Sequence, residues 1–207
     1  MEKQENFTKI PNRLTIFRMI IIVAFIPILL HNTMISSYLA LFLFIIAAIS
    51  DFVDGYIARK YNVVSTFGKV MDPLADKIMD LSAMLCFVQL DFIPAWMVII
   101  IIGREFLVSG IRILAADEGR IIVASNWGKT KTVIEIISII AILFLMCTNH
   151  TIDYYHFSRQ IFHEEALTEF VLLKVIPYVL MFIVAAISLV SGLEYFFKNK
   201  YLLEKDL

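Results

Sequence analysis

Four aspartates fall at helical spacing in two neighbouring stretches, Asp51 with Asp54 and Asp72 with Asp76. Asp51, Asp54, Gly55 and Ala58 stand at i, i+3, i+4 and i+7, a single helix stripe that sets two carboxylates beside two residues almost without side chain. Asp72 and Asp76 form an i, i+4 pair, and the short connection from Lys60 to Lys69 makes the two helices antiparallel neighbours. Facing carboxylates repel strongly at low dielectric, so this set calls for cations or protons. Hard oxygen donors without sulfur or imidazole nearby suit Mg²⁺ or Mn²⁺, and four of them can bridge two ions. The competing uses are a proton relay and helix capping. Asp80 continues the Asp72 and Asp76 stripe, either as a fifth carboxylate behind the ligands or as a buried structural group.

The elements that must position these groups are membrane helices. Of the 207 residues, 60% are hydrophobic and 18% charged, against roughly 45–50% and about 25% in soluble domains. That composition excludes a disordered chain and a disulfide scaffold, and a net charge of -1 gives no electrostatic footing for a nucleic acid. A bilayer core needs about 20 helical residues. Six apolar stretches of that order run from Leu14 to Leu30, Tyr38 to Ile57, Asp72 to Leu90, Pro94 to Ala116, Thr130 to Cys147 and Phe170 to Phe197. A signal peptide is the rival account of the first, but no small-residue cleavage site follows it, and its removal would leave five spans. No repeat or long linker divides the chain, which reads as one membrane domain over residues 1–207.

Lys and Arg recur in alternate connections: Lys3, Lys9, Arg13 and Arg18, then Arg59, Lys60 and Lys69, then Arg120, Lys129 and Lys131, then Lys198, Lys200 and Lys205. The stretch His31 to Ser37 has none and Asn149 to Glu169 only Arg159. Positive charge stays cytoplasmic in short loops, so six spans with both termini in the cytoplasm are expected. Asp51, Asp54, Asp72, Asp76, Arg104, Arg112, Lys129, Lys131 and Glu135 then all fall toward the cytoplasmic ends of their helices, around one polar cavity. All four histidines, His31, His150, His156 and His163, fall in outer connections and read as surface residues, with an outer metal site through His156, His163 and Glu164 as the alternative. Cys86 and Cys147 sit in apolar runs and read as small hydrophobic thiols.

Asp51, Asp54, Gly55, Ala58, Arg59, Gly68, Asp72 and Asp76 together resemble, position for position, the signature of the CDP-alcohol phosphatidyltransferases. Residues Ile10 to Thr15 with Arg18, Arg104-Glu105-Phe106, Ser109-Gly110, Arg112, Gly128-Lys129 and Lys131-Thr132 resemble the phosphatidylglycerophosphate synthase branch of that family. The likeness reaches about Thr132, and the last two helices match only in character. It implies an all-α enzyme of six transmembrane helices with an N-terminal amphipathic juxtamembrane segment, usually a homodimer. Such an enzyme moves a phosphatidyl group from CDP-diacylglycerol to an alcohol and releases CMP. It further implies Asp51, Asp54, Asp72 and Asp76 as ligands of two divalent ions and Asp76 as the general base. Gly55 and Ala58 leave room for cytidine; small-residue packing would be the better account of them without the flanking carboxylates. Arg59 suits the diphosphate or serves as a positive-inside anchor. Asn12, Thr15 and Gly68 complete the nucleotide side, Gly68 also serving as a turn.

Positive charge marks the acceptor. Arg104 and Arg112 lie two turns apart on nearly one face, and with Lys129, Lys131 and Arg18 they form a basic pocket that a neutral alcohol would not require. A phosphate-bearing acceptor would, and sn-glycerol 3-phosphate is the expected one; contact with anionic membrane lipids is the alternative use of these bases. Glu105 either orients Arg104 or pairs with a lysine. Rival functions are a related transferase using inositol phosphate, phosphatidylglycerol or serine, and an ion-coupled transporter with carboxylates at mid-bilayer.

Overall fold

The computed structural model describes the backbone of residues 2–61, 66–117, 126–155 and 169–200, and side chains for 15–51, 53, 74–75, 77–116, 128, 130–155 and 169–200. Every regular element among the described residues is helical: α1 (Glu2–Leu30), α2 (Met34–Tyr61), α3 (Thr66–Gln89), α4 (Ala95–Asp117), α5 (Asn126–Tyr154), and α6 (Ile176–Asn199) preceded by the π-helical turn Val171–Val175. The helices overrun the apolar stretches at most ends, because backbone hydrogen bonding continues where hydropathy stops. The basic N-terminal segment is continuous with the first apolar stretch in one helix, α1.

Three segments are long and apolar enough to cross a membrane by themselves: Met34–Asp51, Thr130–Tyr154 and Val171–Asn199, with Thr15–Leu30 a shorter apolar helix. In the others, charged side chains interrupt the apolar run. The core is a column of Phe25, Phe44, Phe87, Met97, Leu143 and Met181 shared by all six helices. Equally large residues such as Ile20, Phe42, Ile99, Phe144 and Val190 point outward, the distribution expected when lipid is the solvent.

Tight connections align the helices. Asn32 closes α1 in the left-handed region at φ 49, a conformation asparagine tolerates. Thr33 and Ser36 then cap α2 reciprocally: the Thr33 amide donates to Ser36 Oγ at 2.8 Å and the Ser36 amide to Thr33 Oγ1 at 3.4 Å. Tyr38 pairs with Thr151 at 2.9 Å, and His150 Nε2 lies 3.1 Å from Asn32 Oδ1, fastening α5 to this connection. Both cysteines are buried free thiols; His156 and His163 lie outside the described residues.

Helix α1 packs along both α2 and α3, α2 packs on α5, and α4 packs chiefly on α6. These pairings bring the inward charges of α1 to α5 to one region and carry those of α4 against α6.

Candidate active site

Two cavities share a wall in that region. The larger, about 280 Å³, is lined by Lys77 and Asp80 of α3, Glu105 and Phe106 of α4, and Lys131 and Glu135 of α5 among others. The smaller, about 120 Å³, is lined by Arg18 of α1, Asp51 of α2, Asp80 of α3 and Thr132 of α5. Asp80 and Thr132 line both, so Asp51 of α2 and the Lys131 end of α5 face adjoining cavities.

Lys131 is 1% exposed, and its Nζ donates to Glu135 Oε2 at 2.6 Å and to Glu105 Oε1 at 3.0 Å. An ammonium so deeply desolvated needs such partners. Glu105 is the hub: its Oε1 also accepts from Arg104 Nη1 at 2.7 Å, and its Oε2 lies 3.6 Å from Lys77 Nζ, which donates to Ser109 Oγ at 2.8 Å. Glu105 thus performs both roles open at the sequence level, orienting Arg104 and pairing with lysine. Arg104 also donates from Nη2 to Ser191 Oγ of α6 at 3.2 Å, while its Nε is buried with no partner among the described residues. Arg112 lies over the ring of Tyr195, 5.9 Å from the centroid. Arg18 is buried, with Nη1 3.1 Å from Oδ1 of Asp51, whose side chain is 47% exposed.

Four of the five expected acceptor-phosphate residues have described side chains, and these are spread over three places. Arg18 stands beside Asp51, Lys131 between two glutamates, and Arg104 and Arg112 along the α4–α6 seam. Rather than an uncompensated basic pocket, the described groups form an ion-pair network: Arg18 pairs with Asp51, Lys77, Arg104 and Lys131 gather on Glu105, and Lys131 also pairs with Glu135. Thr15 is buried one turn before Arg18 on α1. The side chains of Asn12, Asp54, Gly55, Ala58, Arg59, Gly68, Asp72, Asp76 and Lys129 lie outside those described; their backbone runs within α1, α2, α3 and α5. Among the described residues no three His, Cys, Asp or Glu side chains gather to hold a metal. Among the described residues no histidine or cysteine lines either cavity, so the carboxylate donors there are oxygens, a set that fits Mg²⁺ or Mn²⁺ and not a soft metal.

Lys77, Ser191 and Tyr195 escaped the sequence reading. Lys77 directly follows Asp76, but adjacency in a helix separates directions by about 100°. For α6, the signal was a stripe of small residues in a helix otherwise read only for hydropathy.

Apolar helices closing buried charge around a two-part cavity define an integral membrane protein with an enzyme-like polar site. The CDP-alcohol phosphatidyltransferase family model matches residues 8–191. The chain belongs to that family and is a transferase. It is 37% identical over 202 residues to the CDP-diacylglycerol–glycerol-3-phosphate 3-phosphatidyltransferase of Bacillus subtilis (strain 168), covering 92% of this chain and 94% of that protein. The proteins of the same name from Rickettsia typhi (32% over 187 residues, 90% of this chain and 94% of that one) and Mycoplasma pneumoniae (38% over 155 residues, 66% and 68%) are also similar to it.

Proposed function

We propose that this chain transfers the phosphatidyl group of CDP-diacylglycerol to sn-glycerol 3-phosphate, forming phosphatidylglycerophosphate and CMP in phospholipid biosynthesis. The names of relatives similar over about nine-tenths of the chain support the reaction. The observation that carries the acceptor assignment is Lys131, held almost wholly out of solvent at a cavity it shares with Lys77. Glu105 and Glu135 hold it there, and an acceptor phosphate entering the cavity would compete with them for it.

In this reading the acceptor hydroxyl attacks the β-phosphorus of CDP-diacylglycerol. A new P–O bond forms, the bond to the CMP phosphate oxygen breaks, and the hydroxyl proton passes to the Asp76 carboxylate. Asp51, Asp54, Asp72 and Asp76 are the residues that would hold two divalent ions, whose chemistry when bound is neutralisation of the diphosphate and of the departing CMP. Asn12, Thr15, Gly55, Ala58, Arg59 and Gly68 line the nucleotide side. Arg18, Arg104, Arg112, Lys129 and Lys131 take the acceptor phosphate, and the unspent Nε of Arg104 is one donor for it.

The whole chain acts as one domain of six spans, a homodimer in the cell membrane with both termini and the cavities toward the cytoplasm. The alternation of basic connections supports that orientation. The test is CMP release by the purified full-length protein in mixed micelles of CDP-diacylglycerol. Stimulation by glycerol 3-phosphate, with no response to inositol phosphate, phosphatidylglycerol or serine, is expected; no stimulation would refute the acceptor.

A further inference from the structure

The last helix lies outside the aspartate signature, yet one face of it is built around the arginines of α4. Ser188, Ser191, Gly192 and Tyr195 stand at i, i+3, i+4 and i+7 on α6 and are all buried. Gly192 is the point of closest approach: a Cβ placed there would lie 2.9 Å from Cγ of Arg104 and 3.4 Å from its Cβ. Those atoms are the root of the arginine side chain, so it cannot yield without displacing the guanidinium. The adjacent Ser191 Oγ accepts from Nη2 at the other end of the same side chain. Two turns along α4, Arg112 lies over Tyr195, whose ring is itself fixed against Val108, Ile111 and Ala115. Arg104 Nε and Tyr195 Oη are both buried and without a partner among the described residues, so the seam retains polar capacity its own packing does not use.

We propose that α6 positions the two α4 guanidinium groups for the acceptor phosphate: Gly192 makes room for the Arg104 stem, Ser191 fixes its head, and Tyr195 carries Arg112. Acceptor affinity is then set partly by a helix with no part in holding nucleotide or metal. Ser191, Gly192 and Tyr195 are positioning residues, and the inference rests on the acceptor reading above.

The experiment measures KM for glycerol 3-phosphate and for CDP-diacylglycerol separately, using the full-length protein in micelles. Arg104→Ala is read first; an unchanged KM for glycerol 3-phosphate would refute the acceptor reading itself, and the inference with it. Once Arg104→Ala raises that KM, Gly192→Ala is expected to raise it roughly tenfold, the scale of one charge-assisted contact, with the KM for CDP-diacylglycerol changed by less than about twofold. In the Arg104→Ala background Gly192→Ala should add nothing. Equal changes in both KM values, no change, or a full additional factor in that background each overturn the inference. Should Gly192→Ala fail to yield folded protein, Ser191→Ala carries the test. It is expected to raise the KM for glycerol 3-phosphate roughly threefold alone and not at all beside Arg104→Ala, as a single lost hydrogen bond requires; any other pattern overturns it.

Discussion

Replacing Glu105 by glutamine tests whether the charge network around the larger cavity holds α3, α4 and α5 together. In the native protein Lys131 and Arg104, 1% and 9% exposed, face Glu105 and Glu135, so the buried group is neutral. Glu105→Gln leaves two desolvated cations and one carboxylate. Removing one partner of a buried ion pair costs about 3–5 kcal/mol. The glutamine oxygen still accepts one hydrogen bond and offsets about 1 kcal/mol. Glu105 is also 27% exposed, so water screens part of the imbalance, and a net loss of about 2–3 kcal/mol is expected. At roughly 2–4 °C per kcal/mol for a chain of this size, the melting temperature in detergent should fall by about 4–12 °C. Lys131→Met alone should also destabilise, by leaving Glu135 without its lysine. The double variant Glu105→Gln with Lys131→Met restores one cation against one carboxylate, and should be more stable than the sum of the two single losses predicts by at least about 1 kcal/mol. Thermal unfolding of the four proteins, followed by a buried-thiol probe at Cys86 and Cys147, measures the cycle. Additive losses, or a single-variant shift below the error of the melt, would refute the pairing.

Three further outcomes are expected. Asp54→Asn should abolish CMP release and weaken Mg²⁺ or Mn²⁺ binding while the melting temperature stays within a few degrees; retained turnover would contradict the ligand assignment. Arg112→Ala should raise the KM for glycerol 3-phosphate far more than that for CDP-diacylglycerol, by the roughly tenfold or more that a lost charge-assisted contact of about 1.5–3 kcal/mol implies; equal effects on both substrates would place Arg112 elsewhere. Chelation of divalent ions should stop turnover reversibly, with Mg²⁺ or Mn²⁺ restoring it, and activity that survives chelation would refute the metal assignment.

Local pattern reached the helices but not their ends or their partners. Tyr38 to Ile57 was legible as apolar, whereas α2 runs from Met34 to Tyr61, because the Thr33–Ser36 cap and the polar inner turns are helical without being hydrophobic. The stripe containing Asp51 was legible because helical periodicity alone puts i, i+3 and i+4 on one face. Its pairing with Arg18 was not, since it depends on how α1 lies against α2. Glu105 shows the same limit more sharply. Sequence placed it beside Arg104, but its contacts to Lys131 and Lys77 come from helices 26 residues later and 28 earlier in the chain. Ser188, Ser191 and Gly192 share a helical spacing that went unread in the sequence, because small residues carry no chemical meaning until Gly192 is set against Arg104.

The balance of charge bears on how the proposed reaction can begin. Arg18 is matched by Asp51, and Arg104 and Lys131 by Glu105 and Glu135, as a chain in lipid requires of buried charge. A nucleotide diphosphate and a glycerol phosphate both bring negative charge into this neutral region. Arg18 and Lys131 can turn to a phosphate only by releasing a carboxylate, unless new positive charge enters with the substrates. Divalent ions held by the aspartates of α2 and α3 would supply that charge and compete with Arg18 for Asp51. Metal and acceptor should accordingly bind with positive coupling: the affinity for glycerol 3-phosphate should fall as Mg²⁺ is withdrawn, and Asp51→Asn should weaken that dependence. Calorimetric titration of glycerol 3-phosphate at several Mg²⁺ concentrations measures the coupling, and an acceptor affinity independent of Mg²⁺ would break the argument.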